Sequence, residues 1–305
     1  MEEKLNIHLA HHHTAICCGY WKNTVEFYQK LGYILENDWY WPDGVKNHKS
    51  LLSFQRQKDC WLELFEYPEG RNGLTPRYTD SAGCVFEFAL KCCSDEAVDS
   101  VFQYALDEMG AKAVLTPRNY EYEGTKGTWK LRKATIAGPD GEHITFIHSR
   151  GEETEDVFKG ISGFHHNSLH VAELEKSVDF YEKMGFTAVD VYKDDSGVRF
   201  SLMRLPNGNG LLLKEDGKEG LPTDIERMRA AGSMFQYCFG IENAEDIEAI
   251  YDYSLKIGGR ERIKPFWHES YGMASWKDHP AFTYGPDNEI LEFLYIDYNI
   301  GDNNG

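Results

Sequence analysis

Two glutamates lie where an alternating strand pattern would bury them. Glu63 lies in the apolar run 60–65, and Glu292 lies in the run 290–294. Because residues two apart in a strand share a face, each carboxylate shares its face with aromatic or aliphatic side chains. A carboxylate on such a face is destabilising unless a cation or hydrogen-bond donors compensate it. The pattern therefore predicts a bound cation, or else an arginine partner or a strand face open to solvent.

A third candidate ligand comes from three consecutive histidines, His11, His12 and His13. In a strand, His12 would point away from His11 and His13, so at most two of the three can face one site. A lone histidine at the head of a strand is more often packed or hydrogen-bonded than a metal ligand. We interpret His11 and His12 as structural or surface residues, and the triplet alone predicts no metal site.

The histidine triplet begins a segment that occurs twice. Residues 11–33 align without a gap on residues 164–186, which places His13 on His166. A gapless match over this length indicates an internal duplication. Each copy begins as a short strand, continues as an amphipathic helix and ends at a glycine, and alternating strands follow it.

Two further units share a common order of elements. Residues 83–148 and 233–297 each read as a strand, a helix ending in glycine, and strands with a Gly-Pro-Asp turn before the last one. The chain is thus predicted to hold four βαβββ units of roughly 70 residues. We predict two domains, 1–150 with units one and two, and 151–305 with units three and four.

These motifs resemble those of the vicinal oxygen chelate superfamily, which includes glyoxalase, bleomycin resistance protein and extradiol dioxygenases. The resemblance comes from the four units, the histidine heading the first strand, the helix motif S/T-V-x-F-Y-x-K-x-G-F/Y and the motif GPD-x-E. It implies an α+β fold in which four βαβββ modules form two cupped mixed β-sheets with helices outside.

The resemblance also implies where metal ligands would stand, namely at the start of each unit's first strand and in its last strand. Units one and four carry a ligand-capable side chain at all four such positions: His13, Glu63, Gln236 and Glu292. Unit three offers His166, with Leu212 at its last-strand position. Unit two offers Thr145 and either Val85 or Cys84. We therefore expect one metal site between units one and four and none between units two and three.

One imidazole, one amide oxygen and two carboxylates suit an octahedral divalent ion, which we expect to be Ni, Co, Zn or Mn. The resemblance implies a small-molecule substrate with vicinal oxygens and a proton-transfer reaction of the lyase or isomerase type. It implies Glu292 as the base, and we take Glu63 as the second catalytic carboxylate.

Two alternatives remain open from the sequence. One is an extradiol-type ring-cleaving dioxygenase with Fe(II) held in the second domain by His166, Gln236 and Glu292. The other is a metal-free resistance protein that sequesters an aromatic ligand, which the 17 Phe, 18 Tyr and 7 Trp would allow. Metal analysis of the purified protein would separate the three hypotheses.

Four other residues are weaker candidates. His268 would reach the mouth of the cup as an acid, a base or a substrate contact. Arg118 and Tyr120 would contact a ligand in the middle cup, which is the one formed by units two and three. His170 would pack in the interior or contact the substrate.

The bulk composition excludes several function classes. A net charge of −18 and a pI of about 5.1 disfavour binding to nucleic acid or to an anionic membrane surface. Seven cysteines without a C-x-x-C spacing predict no disulfide framework and favour the cytoplasm. We find no secretion signal at the start and no apolar run of roughly 18 residues, so no membrane span is expected. We expect a monomer or a homodimer.

Overall fold

The computed structural model describes residues 7–40, 48–66, 80–152, 154–218, 234–271, 273 and 275–297. Unit one comprises β1 (Leu9–Cys18), α1 (Trp21–Lys30), β2 (Tyr33–Tyr40), β3 (His48–Phe54) and β4 (Trp61–Glu66). Unit two comprises β5 (Val85–Cys92), α2 (Asp95–Glu108), β6 (Lys112–Glu123), β7 (Thr128–Ala137) and β8 (His143–Ser149).

The second half repeats this order. Unit three comprises β9 (Ile161–His170), α3 (Leu174–Lys183), β10 (Thr187–Lys193), β11 (Arg199–Arg204) and β12 (Gly210–Lys214). Unit four comprises β13 (Met234–Ile241), α4 (Asp246–Lys256), β14 (Arg260–Ile263), β15 (His268–Tyr271), β16 (Ser275–Tyr284) and β17 (Ile290–Asp297). The predicted α+β class and the unit order are confirmed, with the short β15 as an addition.

The strands form two mixed sheets, and each sheet takes one unit from each half of the chain. The nine-stranded sheet has the order β14-β16-β17-β13-β1-β4-β3-β2 with β15 on β16, and therefore combines units one and four. The eight-stranded sheet has the order β10-β11-β12-β9-β5-β8-β7-β6 and combines units two and three. The expected pairing of the units is confirmed by these strand orders. The division of the chain into domains 1–150 and 151–305 stays a prediction.

The helix motif and the GPD-x-E motif contact each other. The phenol of Tyr28 in α1 donates to Glu142 Oε1 at 2.7 Å, and Tyr181 in α3 donates to Glu289 Oε1 at 2.6 Å. Each bond runs from a unit in one sheet to the neighbouring unit in the other sheet. The two motifs that marked the repeat therefore help to hold the sheets together.

The seven cysteines are free thiols in the structure, and six of them are buried. Among the helices of the described residues, none has the length and apolar character that a bilayer-spanning segment needs.

Candidate metal centre

Four neighbouring strands bring the predicted ligands together. In the order β17, β13, β1 and β4, these strands carry Glu292, Gln236, His13 and Glu63 respectively. Ala15 lies beside both Gln236 and Glu63 in the strand register. A small residue between them leaves the space above the sheet to the longer polar side chains.

The imidazole of His13 lies at the centre of the group. Its Nε2 is 3.2 Å from Glu63 Oε2 and 3.1 Å from Glu292 Oε2. Gln236 Nε2 lies 2.6 Å from Glu292 Oε2 and 3.4 Å from His13 Nε2. All four side chains are buried, so their polar atoms are turned toward one another rather than toward bulk water.

The electrostatics of the group demand positive charge. Burial would lower the pKa of His13, but the charges of Glu292 and Glu63 and their hydrogen bonds outweigh it and raise this pKa to about 9. Burial would likewise raise the pKa of Glu63, but the charge of Lys49, whose Nζ is 3.4 Å from Glu63 Oε1, and the hydrogen bond from His13 lower it to about 2. Without a bound cation, a proton on His13 balances the two carboxylates.

The donor set fits a divalent ion. Ligand atoms of His13, Glu63 and Glu292 all lie within 4.8 Å of one another. Gln236 adds an amide whose oxygen is a hard ligand, and the assignment of its oxygen and nitrogen follows from hydrogen bonding. A cation between buried carboxylates would remove the repulsion that His13 protonation now offsets.

A cavity of about 320 Å³ lies over these residues. Its apolar lining includes Trp39, Phe65, Phe235, Trp276 and Phe282. Its polar lining includes Lys49, Arg262, and the pair His268 and Asp278, in which His268 Nδ1 lies 3.1 Å from Asp278 Oδ1. His268, a weaker candidate from the sequence, thus lines the same cavity as the predicted metal ligands.

The predicted orientation of His12 was wrong. His11 pairs with Phe239 and Thr14 with Tyr237, so a β-bulge leaves His12 and His13 opposite Cys238 alone. The extra residue breaks the strand alternation. The Nδ1 atoms of His12 and His13 consequently lie 2.9 Å apart. Sequence reasoning missed both this contact and Cys238, since the bulge depends on a distant strand.

His11 has a packing role. Its ring stacks on Phe164 of the other sheet at 3.7 Å between centroids, and its Nδ1 lies 2.8 Å from the carbonyl oxygen of Asp59. These contacts agree with its interpretation as a structural residue.

The cup of units two and three has a glutamate at the strand position that Gln236 occupies in the first cup. The position expected for Val85 or Cys84 is taken by Glu87, so that assignment was wrong. Aligning V-F-E at 85–87 with M-F-Q at 234–236 would have found Glu87. Its carboxylate accepts hydrogen bonds from Thr145 Oγ1 at 2.5 Å and Ser168 Oγ at 2.8 Å.

His166 Nε2 lies 3.8 Å from Glu87 Oε1 in this middle cup. Among the described residues, the side-chain groups able to hold a metal ion include none from this cup. The cavity here measures about 120 Å³ and its lining includes Leu212. The expectation of no metal at His166 stays a prediction.

The remaining candidates of the second cup lie elsewhere. Arg118 donates to the Tyr120 hydroxyl, and neither residue belongs to the lining of the middle cavity. His170 stacks on Phe86 at 4.0 Å between centroids and its Nδ1 lies 2.5 Å from Asp216 Oδ1. Its contacts are those of a packed residue.

No family model and no curated protein sequence matches this chain. Solved structures do match it over nearly its whole length. Glyoxalase I from Zea mays is 19% identical with a TM-score of 0.62, covering 95% of this chain and 92% of that one. A mutant of that enzyme is 18% identical with a TM-score of 0.67, covering 95% and 93%. A putative dioxygenase from Bacillus subtilis subsp. subtilis str. 168 is 14% identical with a TM-score of 0.67, covering 95% and 86%.

The chain has the vicinal oxygen chelate fold. This fold places the strands of His13, Glu63, Gln236 and Glu292 side by side, as the resemblance to the superfamily implied. Enzymes of different reaction classes share the vicinal oxygen chelate fold, so the reaction has to be argued from the residues of the site.

Proposed function

We propose that this chain is a divalent-metal-dependent enzyme that transfers a proton on a small substrate with two neighbouring oxygens, in the manner of a glyoxalase-like lyase or isomerase. The observation that carries the proposal is the convergence of His13, Glu63 and Glu292 on one point under a cavity of about 320 Å³. The matched glyoxalase I structures support the same reaction class.

His13, Glu63, Gln236 and Glu292 would hold the ion, which we propose to be Ni²⁺, Co²⁺, Zn²⁺ or Mn²⁺. A divalent ion bound there supplies Lewis-acid stabilisation of the negative charge that develops on the substrate oxygens. Buried donors that already face one another need little reorganisation to provide such a site.

The two carboxylates have different partners, and this difference assigns their roles. Lys49 and His13 hold the pKa of Glu63 at about 2 against the effect of burial, so Glu63 is a weak proton acceptor and a persistent anion. Glu292 shares His13 with Glu63, but it has the neutral amide of Gln236 at 2.6 Å where Glu63 has Lys49. Glu292 is therefore the base that takes the substrate proton, and Glu63 keeps the negative charge of the centre.

The cavity walls restrict the substrate. Aromatic side chains such as Trp39, Phe65 and Trp276 line the space over Glu292 and give it apolar walls. The lining also includes the cationic side chains of Lys49 and Arg262. The cavity thus favours a small, oxygen-rich substrate with negative or developing negative charge.

The test is the substitution Glu292→Gln, which keeps an oxygen able to bind metal but removes the proton acceptor. Metal content by elemental analysis should stay at the wild-type level. Exchange of solvent deuterium into a 2-oxo or 2-hydroxycarbonyl substrate should fall by roughly 10²–10⁴-fold, the scale for loss of a positioned base. Glu87→Gln, at the buried carboxylate of the other cup, is the matched control and should exchange at the wild-type rate. Full exchange by the Glu292 variant would exclude it as the base.

The two alternatives find less support. The iron set His166, Gln236 and Glu292 divides between the two sheets, because His166 lies on β9 and the other two residues lie on β13 and β17. A metal-free sequestering protein would gain nothing from two buried carboxylates around one imidazole. Metal analysis of the purified protein distinguishes the three hypotheses, which expect no metal, iron, or one of Ni, Co, Zn and Mn.

A further inference from the structure

We propose that His12, His13 and Cys238 form a second donor set, adjoining the first, that binds a thiophilic ion such as Zn²⁺. Ligand atoms of these three residues lie within 4.8 Å of one another. The bulge in β1 produces the cluster, because it places two histidines opposite the one cysteine of β13. The inference does not require that Glu63 or Glu292 bind a metal.

The chemistry of the three side chains is that of a thiophilic site. Two imidazole nitrogens and one sulfur are the ligand types of protein-bound zinc. All three side chains are buried, with exposures of 8% for His12, 1% for His13 and 0% for Cys238. The Nδ1 atoms of His12 and His13 lie 2.9 Å apart, so one ion can meet both rings.

Cys238 supplies the sulfur of the set. This residue is fully buried, and its ligand atom lies within 4.8 Å of those of both histidines. A coordinating metal ion deprotonates a thiol directly. Cys238 therefore enters the set as a thiolate.

The chain contains its own comparison for this cluster. His165 and His166 repeat the bulge in β9, with Nδ1 atoms 2.5 Å apart. The residue at the position of Cys238 is Ala89, and Arg204 Nη2 lies 2.7 Å from His165 Nε2. The second copy thus keeps the histidine pair, lacks the sulfur and adds a cation, and it belongs to none of the potential metal-binding groups among the described residues.

His13 belongs to both donor sets through different nitrogens. In the thiophilic set, the ion replaces the proton between the two Nδ1 atoms and the thiol proton of Cys238, and both protons leave to solvent. His13 keeps its Nε2 proton, which donates to Glu63 and Glu292. In the first set Nε2 must be free of its proton, while Nδ1–H donates to His12. The two sets therefore compete for His13.

The probe for the second set is Cd²⁺, added to the full-length protein after chelation of its metals. We expect one Cd²⁺ per chain with a thiolate-to-cadmium charge-transfer absorption. This absorption should vanish in Cys238→Ser and weaken in His12→Gln. It should persist in Cys84→Ser, at a buried cysteine directly before β5, and in the double variant Glu63→Gln/Glu292→Gln.

Mn²⁺, which avoids thiolates, reports on the first set separately. Its binding should be lost in the double glutamate variant, kept in Cys238→Ser, and displaced by Cd²⁺ in the wild type. Absence of Mn²⁺ binding would count against the proposed function and leave the cadmium result intact. A charge-transfer absorption that survives in Cys238→Ser would overturn the second set. Binding of Cd²⁺ to the wild type without this absorption would overturn it as well. If the cysteine variant does not fold, the cadmium-113 chemical shift of the wild type decides between the outcomes. A thiolate ligand changes this chemical shift strongly from the value of a site with only oxygen and nitrogen ligands.

Discussion

Glu87 and Gln236 occupy equivalent positions in the two sheets. Glu87 pairs with His143 at the start of β8, and Gln236 pairs with Ile290 at the start of β17. In the cup of units two and three, the carboxylate of Glu87 lies on the strand next to that of His166 and accepts hydrogen bonds from hydroxyl groups. In the cup of units one and four, this position has the amide of Gln236. The carboxylates of that cup come from β4 and β17 instead. This exchange separates a self-satisfied polar cluster from a candidate metal centre.

The first prediction follows from that difference. His13→Ala should abolish the bound divalent metal that elemental analysis detects, because it removes the central ligand of the group. His166→Ala should leave the metal stoichiometry unchanged, since Glu87 is satisfied by Thr145 and Ser168. Loss of metal in the His166 variant with retention in the His13 variant would place the metal in the other sheet.

The second prediction concerns pH and stability. Burial raises the pKa of Glu142 to about 8, with a smaller contribution from the charge of Asp140. Burial and the charge of Asp287 likewise raise the pKa of Glu289 to about 7. The folded state thus holds protons that the unfolded state releases above about pH 4.5. The free energy of unfolding should therefore fall as the pH rises from about 4.5 to about 8.

The measurement is urea unfolding across this pH range. Each such group can give a slope of at most about 1.4 kcal/mol per pH unit. The double variant Glu142→Gln/Glu289→Gln should flatten the slope, because an amide stays neutral throughout. An equally steep slope in that variant would show that other groups cause it.

The third prediction concerns the hydroxyl group of Tyr28. Tyr28→Phe removes the donor at 2.7 Å from the buried Glu142 carboxyl and should lower the free energy of unfolding by about 1–3 kcal/mol. Tyr181→Phe should have a similar effect through Glu289. Tyr20→Phe, at a side chain that is 56% exposed, is the control. Equal midpoints of urea unfolding for all three variants would contradict a role for these bonds in stability.

The fourth prediction concerns the halves of the chain. Residues 1–150 and 151–305 should fold poorly alone, because β1 would lose β13 and β5 would lose β9. Both sheets would then expose unpaired strand edges and apolar faces. Co-expression of the two pieces should restore cooperative unfolding and metal content. Halves that fold and bind metal separately would refute this arrangement.

Much of the site could be predicted from local patterns. Glu63 and Glu292 stood out because alternation placed a charge among apolar neighbours, and the resemblance to the superfamily identified His13. The orientation of His12 could not be predicted in this way. It depends on a bulge that arises only when β1 pairs with β13, and nothing in the histidine triplet itself shows that pairing. Glu87 was missed because a shift of two residues in register changes which residue meets the neighbouring strand.

The strand order also has a consequence for protein synthesis. His13 and Gln236 are 223 positions apart, and all of units two and three lies between them. The ribosome makes units two and three in succession, so β5 and β9 can pair while unit four is still being translated. During this interval β1 exposes the edge that β13 will later cover. Translation that stops before Glu292 thus leaves a chain with one sheet closed and the proposed metal-binding set incomplete.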